Sequence, residues 1–374
     1  MKLTSKERIM RVFRGEAYDR PVLKLWGFDI GQGMLHPDYK PVYNEALKIT
    51  DIFSGAGSAF NIRTGTNEGI YEYKETPTKD PEWVEYEAVI HTTDGDLKQV
   101  YLGSTIGKPG YMKEYFVKEP KDIKKLLSVK YEAYPININD YFNRKNFIGD
   151  KGIVTFGLDH AGYALQTLTG SETLAYWSIE ERELVNEVID IFAKRIYDHT
   201  KAVLDAGLSK EKDVVFAWVG PELLIPPLLS FNDFREFSKE KDRSLNDLIH
   251  NNGGYVWTHC HGKVGKLLED FIDIGTDVLN PIEPPPMGDI TLEDAFKITK
   301  GHMGLEGNIE IGDIMIKSED DVRELTTNAI NTGKKYNRFI LCPSAGYMEV
   351  PNPPKKYIDN LMCYLKTAKE CLEI

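Results

Sequence analysis

The segment Thr258-His259-Cys260-His261-Gly262 carries the residue types that most directly suggest chemistry in this chain. On a strand, residues i and i+2 point to the same side. His259 and His261 would therefore share a face, with Cys260 turned to the other. Cys342 closes a later apolar run, RFILC. Two imidazoles and one thiolate make a three-ligand zinc site with an open fourth position, as a catalytic zinc requires. The same residues also read as core side chains, each hydrogen-bonded on its own, and spacing alone leaves both readings open.

Carboxylates gather in comparable places. Asp29 ends VLKLWGFD, Asp159 and His160 end GIVTFGLDH, and Glu222 ends VVFAWVGPE. Glu283 ends VLNPIE, ahead of Pro284, Pro285 and Pro286, while Asn308 and Glu310 end the run after it. Asp159, Glu222 and Glu283 are the candidate catalytic carboxylates, suited to moving protons. Asp159 and Glu222 could instead cap the helices that follow them. Glu283 could merely stop a strand, since a proline run ends regular pairing.

Elements in a regular rhythm must position these groups. From about residue 150, apolar strands alternate with amphipathic helices: Leu184, Val188, Ile191, Phe192, Ile196 and Val203 recur at helical spacing over 181–206. VLKLWGFD and the weaker TDIFSG add two strands to the six of the C-terminal part. Strand–helix alternation with apolar strands predicts a parallel sheet covered on both sides. Eight units predict an α/β fold, a TIM (β/α)8 barrel with its active site at the strand C-termini. A doubly wound open sheet is the alternative, weakened because no strand is followed by GxGxxG. Residues 4–14 predict an N-terminal helix capped by Thr4 or Ser5 and ended by Gly15. Residues 66–118 hold short β-like runs around TTDGD, with Asp94-Gly95 as a hairpin turn. That stretch is expected to be a β-hairpin insertion within one domain spanning 1–374.

Composition bounds the function. Hydrophobic residues make up 41% and charged residues 28% of 374, an ordinary globular balance. Lysine and arginine number 46 against 58 acidic residues, for a net charge of −12. Such a surface argues against bulk binding of nucleic acid or anionic lipid. Apolar runs fall short of the roughly 18 residues of a membrane span. MKLTSKERIMRVFRGE lacks a signal-peptide core, and four cysteines are too few for a disulfide framework. A cytoplasmic protein with reduced thiols is expected. Cys363 and Cys371 fall in the last amphipathic helix as packing residues.

RGEAYDRP, GPE with a following PP (residues 220–227), HCHG, IEPPPMGD, LEGNI and the strand with Cys342 together resemble the uroporphyrinogen decarboxylase superfamily. The matches run through nearly the whole chain, and the resemblance implies a TIM barrel. True decarboxylases of that superfamily hold an acidic tetrapyrrole with an N-terminal RQAGRY segment; here the corresponding stretch reads LWGFDIGQGM. The other branch, methyltransferases that work with corrinoid proteins, carries zinc on His-x-Cys plus a distant Cys. His259 matches the histidine, His261 stands where the first cysteine is expected, and Cys342 matches the second.

Two histidines and one thiolate would leave zinc with a net positive charge, a harder and more Lewis-acidic centre. That favours polarising the oxygen or nitrogen of a methyl donor. The resemblance thus implies a methyltransferase between a small methoxy or methylamine donor and a corrinoid protein, such as an O-demethylase component. Transfer from a methylated corrinoid to a thiol is its second form. Trp26, Trp218 and Tyr347 would suit an aromatic donor, or else pack the core. Asp159-His160 lacks the spacing of a cobalamin-binding Asp-x-His-x-x-Gly, so the corrinoid (cobalamin) is expected on a partner protein. A metal-free lyase using Asp29, Asp159 or Glu222, and a non-catalytic binding barrel, remain the other classes.

Overall fold

In a computed structural model, residues 2–31, 36–66, 68–346 and 353–374 are described. Twelve strands occur among them: β1 (Val22–Leu23), β2 (Ile52–Ala56), β3 (Tyr71–Pro77), β4 (Trp83–Ile90), β5 (Leu97–Ser104), β6 (Tyr111–Glu114), β7 (Gly152–Leu158), β8 (Val215–Val219), β9 (Tyr255–His259), β10 (Val278–Ile282), β11 (Gly304–Ile309) and β12 (Phe339–Pro343). Eight of them form one parallel sheet in the order β1-β12-β11-β10-β9-β8-β7-β2. Its two ends meet at Asp51. The Asp51 amide donates to the Leu23 carbonyl at 2.7 Å, and the Asp51 carboxylate accepts from the Leu23 amide at 3.0 Å. The sheet is thereby curled into a TIM-like α/β barrel with helices between its strands.

Alternation along these strands divides the apolar residues into two sets. Val256, Leu279, Leu305, Phe339 and Leu341 face outward into the main core under the helices. Val22, Ile153, Val215, Val278 and Ile340 face inward, near the strand N-termini. The helix Ser5–Arg14 packs Ile9, Met10, Val12 and Phe13 onto this inner set and plugs that end of the barrel. Thr4 caps the helix on Glu7 N–H at 3.1 Å, and Gly15 ends it at φ 71°, a left-handed conformation that glycine adopts without strain. Arg338 fastens the plug. Its guanidinium donates to the carbonyls of Val12, Phe13, Asp277, Gly301 and His302. One barrel end is therefore closed, and the strand C-termini surround the other.

Two sequence expectations change in detail. The strand expected to run to Asp29 is only the pair Val22–Leu23. Beyond it the Phe28 amide donates back to the Leu25 carbonyl at 3.2 Å, a turn that the positive φ of Gly27 permits. The insertion is a four-stranded antiparallel sheet, β3-β4-β5-β6, larger than one hairpin.

Candidate active site

The strand register brings His259 and Asn280 side by side, β9 against β10, and Asn280 is one step beyond the pair Leu279–Leu305 that aligns β10 with β11. His259, Asn280 and Glu306 thus form a row across three strands. The fully buried Glu306 carboxylate accepts from Lys24 Nζ at 2.7 Å, Trp257 Nε1 at 2.8 Å and Asn280 Nδ2 at 2.8 Å. With its amide nitrogen committed to Glu306, Asn280 must present its oxygen to His259 Nδ1, 2.6 Å away. An amide oxygen only accepts, so the proton of His259 is on Nδ1 and the lone pair is on Nε2. Burial, with the positive charge of His261 and Lys24 added, lowers the His259 pKa to about 4. This imidazole is neutral at physiological pH.

His261 stands against it, with ring centroids 4.6 Å apart and the planes nearly perpendicular. Glu283 holds His261 Nδ1 at 2.9 Å through one oxygen and accepts the Gly262 amide at 2.6 Å through the other. Burial opposes protonation of His261, but the hydrogen bond with Glu283 and the charges of Glu283, Glu222 and Glu310 outweigh it and raise its pKa. Burial also opposes the charge of Glu283, and its bonds to His261 and Gly262 overcome that and lower its pKa. Trp26 stacks on His259 at 4.9 Å and walls the pair on one side.

The other carboxylates are less engaged. Glu222 lies in the turn Pro221–Leu224, where its Oε2 is buried without a hydrogen-bond partner among the described residues. Burial raises its pKa against the pull of His160 and His261. Glu310 is raised by burial and by the charge of Glu283. Asp159 follows β7 without capping the next helix, Ala161–Thr169, whose N-cap is His160. Partial desolvation raises the Asp159 pKa, and the charge of Arg63 opposes that. Asp29 accepts from Ser54 and pairs with Arg144 at 3.4 Å. His160 turns away from the mouth, stacking on Trp218 and meeting Ser238 Oγ at 3.0 Å in the helical layer. Trp218 belongs to that layer too, and Tyr347 lies outside the described residues.

The expected zinc ligands divide into a pair and an outlier. Both imidazoles are fixed through Nδ1 with Nε2 left over, the arrangement that metal-ligating histidines adopt. Cys342 is fully buried beside Asn308 in the register, and burial together with Glu306 pushes its thiol pKa up. Among the described residues no three His, Cys, Asp or Glu side chains converge to hold a metal ion. The donor set His259, His261 and Cys342 therefore does not fit zinc as it stands: the imidazole pair suits it, and the thiol is not placed with that pair. Cys260 packs in the outer core, turned from both neighbours.

An open barrel end ringed by histidines and carboxylates belongs to enzymes of the TIM-barrel kind. The uroporphyrinogen decarboxylase (URO-D) family profile matches residues 152–371, more than half of the chain, and the chain belongs to that family. No curated protein matches it. Among solved structures, a methyltransferase from Methanosarcina mazei has a similar fold, with 14% identity, 99% of each chain covered and a TM-score of 0.61. A candidate dehydratase from Mesorhizobium loti covers 75% of this chain and 87% of its own at 8% identity, with a TM-score of 0.22 that carries no argument. Among the described residues no helix is long and apolar enough to cross a membrane.

Proposed function

We propose that the protein is a methyltransferase moving a methyl group between a small donor, of the methoxy or methylamine type, and a corrinoid carried by a partner protein. The observation that carries this reading is the imidazole pair at the barrel mouth, His259 held by Asn280 and His261 held by Glu283. The family and the full-length likeness to a Methanosarcina methyltransferase support it.

When methyl leaves an oxygen or nitrogen donor without its bonding electrons, the heteroatom keeps the electron pair and gains negative charge. A preorganised cation beside that atom stabilises the transition state more than the ground state. His261 supplies one here: its imidazolium is favoured by Glu283, and its Nε2 proton can pass to the departing heteroatom. His259, neutral and locked as the Nδ1–H tautomer, offers Nε2 as an acceptor that orients the substrate. Glu222 remains a reserve proton carrier, its buried Oε2 unpaired among the described residues.

The test supplies a reduced corrinoid protein and a panel of methoxy-aromatics, methylamines and thiols, and follows corrinoid absorbance. Methylation of the corrinoid by a methoxy or amine donor supports the reading. Demethylation by thiols alone reverses the direction, and silence with every donor refutes it. The raised carboxyls of Glu222 and Glu310 favour one second reading, a metal-free lyase using them as acids. Carbon dioxide release without corrinoid would identify that activity, and metal analysis on protein purified without tag or chelator settles the zinc.

A further inference from the structure

The sequence holds twelve arginines. Nine of them form ion pairs with aspartate or glutamate. Arg195 and Arg338 direct their donors to backbone carbonyls. Among the described residues Arg63 does neither. It stands half-buried in the turn after β2, with a single guanidinium hydrogen bond among those residues, from Nη2 to Thr167 Oγ1 at 3.0 Å. The Phe116 ring lies 5.7 Å from the guanidinium carbon. A guanidinium carries five N–H donors, and leaving most of them unpaired in a desolvated place is unfavourable unless a ligand completes them.

The surroundings point to the barrel mouth. Asp159 is near enough for its charge to act on Arg63, yet the two form no ion pair, and Asp159 accepts no hydrogen bond among the described residues. The register Leu158–Trp218 and Val219–His259 sets Asp159 level with His259, two strands away. Two strand spacings are about 10 Å. A gap of that order admits a substituted six-membered ring. Tyr71 and Tyr73 stack with centroids 5.9 Å apart, and both lie within reach of the Arg63 charge. The carboxylates of the mouth do not forbid an anion here. Glu283 is hydrogen-bonded to His261 and Asp29 is paired with Arg144.

We infer that Arg63 anchors a carboxylate of the substrate, so that the small molecule held in this mouth is an aromatic acid with its reacting group toward His259 and His261. This rests on the methyltransferase reading only for the identity of the reacting group. Bidentate pairing of guanidinium with carboxylate gives both the attraction and the orientation. Thr167 fixes the arginine from the side facing the helix.

The experiment is isothermal titration of the full chain, without corrinoid, with benzoate, methoxybenzoates, their methyl esters and methoxybenzene. The acids should bind, and the esters should bind on the order of 10- to 100-fold more weakly, the scale of a charge-assisted hydrogen-bond pair. Arg63→Met should remove the preference for acids, and Arg63→Lys should restore only part of it. Equal affinity for acid and ester, no binding by any acid, or unchanged acid affinity in a folded Arg63→Met protein overturns the inference. If Arg63→Met does not fold, the acid–ester comparison on the wild type decides. Acid binding through Arg63 without methyl transfer would keep the anchor and remove the methyltransferase. Methyl transfer from neutral donors, indifferent to Arg63→Lys, would do the reverse.

Discussion

Replacing Glu306 by glutamine should destabilise the barrel through Lys24. The Glu306 carboxylate has no exposed surface, and Lys24 is 8% exposed, so the pair sits in the barrel interior. Glu306→Gln keeps the shape but removes the counter-ion 2.7 Å from Lys24 Nζ. It also replaces one accepting oxygen by a donating NH2, which must face either Trp257 N–H or the donors shared by Lys24 and Asn280. Breaking a buried ion pair from one side costs about 3–5 kcal/mol. The rings of Phe53, Trp257 and Trp26, at 4.4, 4.7 and 5.3 Å from Lys24 Nζ, still face the cation. They favour the lower end, about 3 kcal/mol. Urea unfolding followed by tryptophan fluorescence measures this. The double variant Lys24→Met/Glu306→Gln, with no stranded charge, should recover at least about 1 kcal/mol relative to Glu306→Gln alone. A single variant within about 1 kcal/mol of wild type, or strictly additive effects in the cycle, would show that Lys24 reaches water and that the network is not a buried ion pair.

Three further outcomes follow from other parts of the molecule. His199, 9% exposed and stacked on Phe60, has its pKa lowered by burial from 6.5 to about 4. The unfolded chain takes up this proton first, so stability should fall as pH drops from 6.5 toward 4, by up to about 3 kcal/mol, and His199→Phe should flatten that part of a melting-temperature profile. In Gly152→Ala the new Cβ would lie 2.0 Å from the Ile52 carbonyl oxygen, between β2 and β7, and thermal unfolding should show a loss of about 3 kcal/mol. Metal analysis of protein purified without chelator should find less than stoichiometric zinc, as an imidazole pair without the thiol implies; stoichiometric zinc that is lost in His259→Ala, His261→Ala and Cys342→Ser alike would restore the three-ligand set.

How much of this was legible depends on the range over which each feature is determined. The strand–helix rhythm and the polar strand ends are local patterns, and they predicted the barrel and its mouth from residues such as Val215 to Glu222 or Tyr255 to His261. The turning of Cys260 away from its neighbours followed from a period of two. Placing Cys342 with the histidines required a distance across the barrel, which no local pattern contains. The capping reading of Asp159 failed for a related reason: the backbone continues through His160 before the helix starts.

The residues that were missed left a quieter signal. Lys24 in VLKLW and Glu306 in GLEGN are charged groups at inward positions of otherwise apolar strands. A lone charge there is unfavourable, so two of them imply each other as partners. Joined through Asn280, they fix which nitrogen of His259 carries the proton. The orientation of an imidazole at the mouth is thus set by a lysine and a glutamate in the barrel interior. Arg63 obeys the same rule with the opposite result. Among the described residues it has one hydroxyl partner and no ion pair, although the charge of Asp159 reaches it. In the interior an unanswered charge would be a defect of folding. At the rim of a mouth it is a specification for a ligand, and the ligand it specifies is an acid.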